Sequence, residues 1–132
     1  MIHSGRCYCG AIRYQVAGEP RDVALCHCKD CRLSSGAPVM AWAGFSDSAL
    51  TVTHGKPRTI NLSGAAMRTF CGDCGTGLFY HNADLLPGIV EVQSATLDDA
   101  DALPPSVQIQ TAERLDWMKD AHALPSFERF PE

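Results

Sequence analysis

The sequence of 132 residues has no long apolar run and no basic run. A helix that crosses a bilayer needs about 20 consecutive apolar residues, and no segment approaches that length, so we expect no membrane protein. Lys and Arg number 11 against 15 Asp and Glu, with a formal net charge of -4. Because phosphate contacts dominate affinity for nucleic acid and need clustered cations, we expect no nucleic-acid partner.

Signatures of several catalytic classes are also missing from the sequence. It lacks the His-x-Glu and Pro-Cys-x-x-Cys pattern of zinc deaminases, the His-Glu-x-x-His of metalloproteases, and the glycine-rich loops that bind dinucleotides or phosphates. The N-terminal stretch MIHSGRCYCG has neither the apolar region nor the cleavage site of a secretory signal. The sequence therefore favours a cytoplasmic protein whose chemistry depends on its metal ligands.

Cysteine, in contrast, is plentiful. Cytosolic thiols are kept reduced, and an odd number of cysteines cannot pair fully within one chain, so metal binding or catalysis is favoured over disulfides. The seven cysteines fall into three groups, with none outside them: Cys7 and Cys9; Cys26, Cys28 and Cys31; Cys71 and Cys74.

The spacing within each group suits chelation of a metal ion. Tetrahedral zinc with bonds of about 2.3 Å requires sulfur atoms about 3.8 Å apart, which residues two or three positions apart reach in a tight turn. Gly75 follows Cys74 and Gly10 follows Cys9. Glycine admits the left-handed backbone that lets amides point at sulfur, so both positions favour a zinc knuckle.

The simplest division of the cysteines gives two metal sites. A Cys-x-x-Cys pair alone could be a redox dithiol, but together with a Cys-x-Cys pair it is more typical of a closed four-thiolate site. Cys26, Cys28 and Cys31 then remain for a second ion. Three protein ligands with an open fourth position are typical of catalytic zinc. The closed site would be structural zinc held by Cys7, Cys9, Cys71 and Cys74.

Two alternatives stay open from the residues alone. His27, His54, His81 or an acid could close the second site and make it structural. One closed site could instead be drawn from any four of the seven cysteines. His27 lies between two ligands, and we expect its ring to point away from the metal.

An open three-thiolate site favours thiol chemistry. Zinc with three thiolates has a formal charge of about -1, which makes it a poor Lewis acid for water but a good host for a fourth thiolate. A bound thiolate is a nucleophile at neutral pH and can react with an aldehyde. Lys29 and Arg32 could pair with the carboxylates of a thiol such as glutathione; Arg13 and Arg68 are weaker candidates.

Hydrophobic alternation and turn residues predict a mainly β fold with little helix. Helical turns are predicted over Lys29–Ser35, 98–102 and 113–119. Among the aromatic residues of the strands, Trp42 and Phe45 could line a pocket, although a core position is more typical. The predicted strands are 11–16, 39–45, 50–53, 59–62, 68–70, 78–80, Ile89–Gln93 and Val107–Ile109.

The cysteines and their neighbours resemble a known family, the glutathione-dependent formaldehyde-activating enzymes, also called the GFA or centromere-protein-V-like family. The resemblance continues through Leu97-Asp98-Asp99 and Trp117, so it covers nearly the whole chain and implies a single zinc-binding domain over residues 1–132. The residues that carry it are Cys7-x-Cys9-Gly10, Cys26-x-Cys28-x-x-Cys31-Arg32 with Ser35-Gly36, and Arg68-x-Phe70-Cys71-x-x-Cys74-Gly75-Thr76-x-Leu78.

The resemblance implies a fold, a metal content and a reaction. The fold is a β-tent of packed antiparallel sheets, stapled by zinc. The four outer cysteines hold a structural zinc, and Cys26, Cys28 and Cys31 hold a second, catalytic zinc, giving two ions per chain. There glutathione reacts with formaldehyde to give S-(hydroxymethyl)glutathione.

We therefore expect a carbon-sulfur lyase-type enzyme whose partners are a small thiol and a small aldehyde, with Arg32 as the anion partner. The alternative is a non-enzymatic thiol carrier or a zinc-stabilised interaction module.

Overall fold

A computed structural model, which describes residues 1–131, shows a mainly β fold with two sheets. The strands are β1 (Ile2–Arg6), β2 (Arg13–Ala17), β3 (Asp22–Cys26), β4 (Met40–Ser46), β5 (Leu50–His54), β6 (Arg58–Ser63), β7 (Ala66–Phe70), β8 (Gly77–Asn82), β9 (Ile89–Gln93) and β10 (Val107–Ile109). The helix α1 spans Lys29–Ser35. Short 3-10 turns cover Asp47–Ala49, Ser94–Thr96, Ala100–Ala102, Thr111–Glu113, Asp116–Met118 and Ala121–Ala123.

The smaller sheet has the order β1-β2-β5, and the larger has the order β10-β3-β4-β9-β8-β7-β6. Neighbouring strands are antiparallel except β10, which runs parallel to β3. The mainly β, antiparallel fold expected from the sequence is confirmed, while the tent arrangement implied by the resemblance stays a prediction. None of the helices in the described part of the chain is long and apolar enough to cross a membrane.

The main hydrophobic core lies between the two sheets. Strands β1 and β2 alternate strictly between exposed and buried residues, so each has one face toward the core. Tyr14 of β2 makes an edge contact with Phe79 of β8, with ring centroids 4.9 Å apart. Gly5 lies opposite Tyr14 in the ladder, and a side chain at that position would overlap the tyrosine ring. The pairing therefore requires glycine there.

The face of the larger sheet that points away from the main core carries a row of mostly polar residues. Directly opposed residues in antiparallel strands point to the same face, so the register places a row across four strands. The row consists of Arg68 on β7, Tyr80 on β8, Glu91 on β9 and Gly44 on β4. A second buried cluster of Cys26, Cys31, Met40 and Trp42 lies on this face, apart from the main core. The larger sheet thus separates the main core from a second, more polar side.

The helix α1 matches the predicted turn at Lys29–Ser35 and ends where its sequence dictates. Cys28 is its N-cap, and the Cys28 Sγ accepts the Cys31 N–H at 3.2 Å. Gly36 ends the helix in the left-handed conformation, with φ of 74°, and donates its N–H to Arg32 O. Glycine is the residue that adopts this C-cap conformation without strain.

Two strands were not predicted from the sequence. In β1 the buried positions are His3 and Gly5, neither of which is a typical strand-core residue. The strand β3 ends at Cys26, so its apolar residues run directly into the metal-binding motif. In the C-terminal part, the turns predicted over 98–102 and 113–119 contain only short 3-10 segments.

Candidate metal centres

Four of the cysteines lie together where two turns meet at one end of the sheets. Cys7 and Cys9 lie in the β1–β2 turn, and Cys71 and Cys74 in the β7–β8 turn. Their ligand atoms all lie within 4.8 Å of one another. The Sγ of Cys9 is 3.6 Å from that of Cys7 and 3.8 Å from that of Cys71. This four-cysteine cluster therefore connects the smaller sheet to the larger one.

The backbone of both turns is shaped for sulfur ligation. Gly10 and Gly75 adopt left-handed conformations, with φ of 80° and 83°. In the first turn the Ile12 N–H donates to Cys7 Sγ at 3.3 Å, an amide aimed at sulfur as the knuckle motif predicts. Hydrogen bonding from the Thr76 hydroxyl, chiefly, lowers the pKa of the Cys74 thiol to about 5, which favours the thiolate form that binds metal.

The other three cysteines form a separate three-cysteine cluster, Cys26, Cys28 and Cys31, at the junction of β3 and α1. Cys26 ends the strand, Cys28 caps the helix and Cys31 lies in its first turn, with the Cys26 and Cys31 Sγ atoms 3.7 Å apart. The hydrogen bond between the Cys31 and Cys26 thiols, chiefly, lowers the pKa of Cys31 to about 5 despite its burial. The helix cap and the strand end thus bring three sulfur ligands to one point.

Both clusters fit a thiolate-bound metal ion. The sulfur separations of 3.6 to 3.8 Å match the roughly 3.8 Å expected around tetrahedral zinc and far exceed the disulfide bond length of about 2.05 Å. All seven cysteines are free. Soft thiolate ligands select zinc and related metals. The structure thus brings the cysteines into the two groups expected from the sequence, and their metal identity and roles stay predictions.

Histidines and carboxylates do not complete either cluster within the described residues. His27 is buried, and its Nε2 lies 2.8 Å from Gln108 Oε1, so this ring nitrogen pairs with β10. His81 pairs with Asp47 at 2.7 Å on the surface. The three-cysteine cluster therefore has three protein ligand atoms and no fourth in the described chain.

A cavity of about 690 Å³ opens beside the three-cysteine cluster on the second face of the larger sheet. Trp42 and Tyr80 form part of its wall, with ring centroids 6.1 Å apart. Arg68 Nη2 donates to Cys31 Sγ at 3.8 Å, and its guanidinium carbon lies 4.8 Å from the centroid of the Tyr80 ring. Of the two aromatic residues considered from the sequence, Trp42 lines this cavity and Phe45 lies in the main core.

The cations that line the cavity are not those favoured from the sequence. Lys29 and Arg32 are absent from the described residues that line the cavity, whereas Arg68 and Arg21 are present. The Nε of Arg32 is buried without a hydrogen-bond partner. Arg13 lies on β2 in the smaller sheet. The role of Arg32 as an anion partner therefore stays a prediction that the position of its side chain does not favour.

Glu91 is a residue of the site that was not predicted from the sequence. It lines the cavity, is 9% exposed, and its Oε2 has no hydrogen-bond partner. Burial chiefly, and then Asp22, raises the pKa of its carboxyl to about 7, although Arg21 opposes the shift and Cys31 adds slightly to it. The sequence signal for Glu91 is a charged residue inside the strand Ile89–Gln93. Only the sheet register shows on which face of the sheet its side chain lies.

Replacing Glu91 with glutamine is expected to remove a pH dependence of folding stability. Between pH 4.5 and about 7 the folded state keeps the Glu91 proton that the unfolded state releases. The free energy of unfolding of the parent therefore falls as pH rises through this window. The variant should match the parent near pH 5 and exceed it at pH 8 by about 2 kcal/mol in urea unfolding.

The control for this measurement is Glu19→Gln, because Glu19 is an exposed carboxylate. It should leave the difference between pH 5 and pH 8 as in the parent. If the Glu91→Gln variant kept the parent's full pH dependence of stability, the conclusion that the buried Glu91 carboxyl is protonated below about pH 7 would be contradicted.

The fold and the clusters define a class: a mainly β protein with two cysteine clusters, each able to hold a metal ion. The profile of the family described as glutathione-dependent formaldehyde-activating enzyme matches residues 2–113. The chain belongs to that family.

Named relatives and a solved structure agree with this assignment. A Halomonas elongata protein, "Putative glutathione-dependent formaldehyde-activating enzyme", is 27% identical over 128 residues, covering 90% of this chain and 81% of that protein. An uncharacterized lyase of Schizosaccharomyces pombe is 30% identical over 78 residues, covering 59% of this chain and 56% of that protein. A crystal structure of a Rhodobacter sphaeroides protein superposes with a TM-score of 0.64 and 25% identity, covering 80% of this chain and 98% of that one. Family membership and the lyase-named relative support an enzyme.

Proposed function

We propose that this chain is a zinc-dependent carbon-sulfur lyase-type enzyme that joins or splits a small thiol and a small aldehyde. The observation that carries the proposal is the three-cysteine cluster, whose three sulfur ligands converge on the wall of a cavity without a fourth protein ligand among the described residues. Membership in the family and the lyase-named relative support the reaction class. One domain over residues 1–132 would contain the whole site.

Two zinc ions with different roles are part of this proposal. The four-cysteine cluster has a complete set of ligands and connects two sheets, which is the arrangement of structural zinc. The three-cysteine cluster has an incomplete set beside a cavity, which is the arrangement of catalytic zinc. Cys26, Cys28 and Cys31 would hold the zinc ion, which would supply a position for a further thiolate and so favour the ionised form of an incoming thiol at neutral pH.

The reaction forms one carbon-sulfur bond and moves one proton. The thiol sulfur adds to the aldehyde carbon, the carbonyl double bond becomes a single bond, and the proton lost by the thiol ends on the oxygen. Glu91 lines the cavity, and its carboxyl has a pKa of about 7, so it can carry this proton in either direction.

Arg68 contributes fixed positive charge to the same site. Its guanidinium donates to Cys31 Sγ at 3.8 Å and is held over the Tyr80 ring. It can therefore offset the negative charge of the three thiolates and stabilise the oxyanion that develops on the aldehyde.

The decisive experiment is kinetic. Protein loaded with two zinc ions should accelerate the formation or the breakdown of a hydroxymethyl thiol adduct above the spontaneous rate, followed by NMR of the adduct protons. The same concentration of free zinc salt serves as the control. A rate equal to that in buffer would refute the enzymatic proposal. Thiol binding measured by calorimetry, without turnover, would instead identify a thiol carrier.

A further inference from the structure

The charge of the cavity bears on which thiol or aldehyde the site accepts. Two arginines line the cavity, and the carboxylates that line it outnumber them, before the thiolates of the cluster are counted. The pKa of Glu91 lies near 7, chiefly through burial and then through Asp22, as expected where negative charge is already in excess. The carboxylates are Asp22, Asp30, Glu91 and Glu113.

Both arginines are already engaged with protein groups. Arg21 Nη2 lies 3.1 Å from Asp22 Oδ2 and 3.7 Å from Glu91 Oε1. Arg68 donates to Cys31 Sγ and lies over Tyr80. Among the described residues that line the cavity, each arginine therefore already has a protein partner, and a carboxylate of the substrate would have to compete with it.

Five exposed apolar side chains stand at the mouth of the cavity, among exposed polar ones such as Ser34, Ser63 and Gln110. Single exposed apolar side chains are ordinary, but those around this opening converge from α1, β6, the segment after β8, and β10. Trp42 and Tyr80 line the same cavity as these side chains and the three-cysteine cluster, and the lining as a whole is more apolar than polar. We name this set the apolar mouth: Leu33 at 65% exposed, Leu62 at 64%, Leu85 at 78%, Val107 at 50% and Ile109 at 44%.

Glutathione does not match this surface. It carries two carboxylates and one ammonium group, so a thiol of net negative charge would enter a cavity in which carboxylates outnumber arginines and both arginines already have protein partners. Its backbone amides and charged ends would also have to displace water from the apolar mouth, which is unfavourable without hydrogen-bond partners. An uncharged apolar group would instead gain from burial there.

From this arrangement we infer that the thiol accepted by this chain carries an uncharged apolar substituent, which packs against the apolar mouth while its sulfur faces the three-cysteine cluster. This inference rests on the proposed function, because it names the substrate class of that same site. The three-cysteine cluster then determines the class of reaction, and the apolar mouth determines which thiol binds.

Thiol binding to the cobalt-substituted protein tests the inference without relying on turnover. A further thiolate ligand strengthens the sulfur-to-cobalt charge-transfer absorption, so titration gives a half-saturating concentration for each thiol. Phenylmethanethiol against 2-mercaptoethanol compares an apolar with a small polar group, both uncharged. Methyl thioglycolate against thioglycolate compares a neutral with an anionic form of one skeleton.

We expect phenylmethanethiol to half-saturate at a concentration at least about tenfold lower than 2-mercaptoethanol or glutathione. Methyl thioglycolate should likewise bind more tightly than thioglycolate. Glutathione binding as tightly as phenylmethanethiol, or more tightly, would overturn the inference.

A pair of variants tests whether the apolar mouth is responsible. Leu33→Arg adds a cation to the mouth on an exposed position of α1, and it should shift preference from phenylmethanethiol toward glutathione by about tenfold. Leu124→Arg is the matched control, because Leu124 is 63% exposed and absent from the cavity lining. An unchanged ratio in Leu33→Arg would contradict the role of the mouth.

The outcomes also distinguish this inference from the proposed function. A protein with two bound metal ions whose spectrum responds to none of the thiols would refute the open thiol site, and both proposals would fail. Tight binding and turnover of glutathione in preference to the apolar thiols would leave the reaction class standing and overturn the substrate class alone.

Discussion

The variant Cys71→Ser is expected to lower the thermal unfolding midpoint of the zinc-loaded protein by more than about 10 °C. Cys71 is 1% exposed, and its Sγ lies 3.8 Å from that of Cys9, so it belongs to the cluster that connects the two sheets. Structural zinc contributes on the order of 10 kcal/mol in small modules, comparable with the whole stability of a typical domain. Losing one of four thiolates removes much of that contribution.

The comparison needs the metal-free protein as its control. Without zinc, parent and variant should unfold at similar temperatures, because a buried serine in place of the thiol costs far less than a metal site. Calorimetry with and without a chelator measures both differences. A zinc-loaded Cys71→Ser protein that unfolds at the parent's temperature would refute the structural role of the four-cysteine cluster.

Local sequence was sufficient for the parts of the fold that depend on few neighbours. The helix over Lys29–Ser35 follows from its cap and its terminal glycine, and the turn glycines Gly10 and Gly75 follow from the knuckle motif. Chelating spacing is also local, so each cysteine group could be recognised. Joining Cys7 and Cys9 to Cys71 and Cys74 required counting ligands, because their contact spans more than 60 positions along the chain.

The cavity could not be predicted, because it depends on strand register. Arg68, Tyr80 and Glu91 are far apart in sequence, and only the pairing of β7, β8 and β9 places them in one row. A shift of one residue would turn each side chain to the opposite face. Proximity to the three-cysteine cluster in the sequence instead favoured Lys29 and Arg32. Both lie on α1 and not on the sheet, and neither lines the cavity.

Strand β1 was missed by the sequence prediction for a different reason. Its burial pattern alternates, but its inward positions are His3 and Gly5 rather than large apolar residues. Gly5 is required because the Tyr14 ring occupies the space above it. Patterning rules search for apolar residues at inward positions, so a strand that receives its partner's side chain cannot be recognised by them.

The variant Cys28→Ser is expected to reduce the catalysed rate at least about a hundredfold while leaving the fold intact. Cys28 is both a ligand of the three-cysteine cluster and the N-cap of α1, where its Sγ accepts the Cys31 N–H at 3.2 Å. Serine is among the best N-cap residues, so its hydroxyl can take over the capping hydrogen bond. The substitution therefore removes a thiolate without removing the helix start.

Metal analysis and kinetics together check this second substitution. The parent should hold two zinc ions per chain and Cys28→Ser one, with an unfolding midpoint close to the parent's and adduct formation near the spontaneous rate. Retention of two ions and of the parent's rate would show that the three-cysteine cluster is not the reacting site. Cys71→Ser should lower the stability of the protein, and Cys28→Ser should lower its catalysed rate. Because both variants replace a cysteine with serine, this difference would show that the two clusters have different functions.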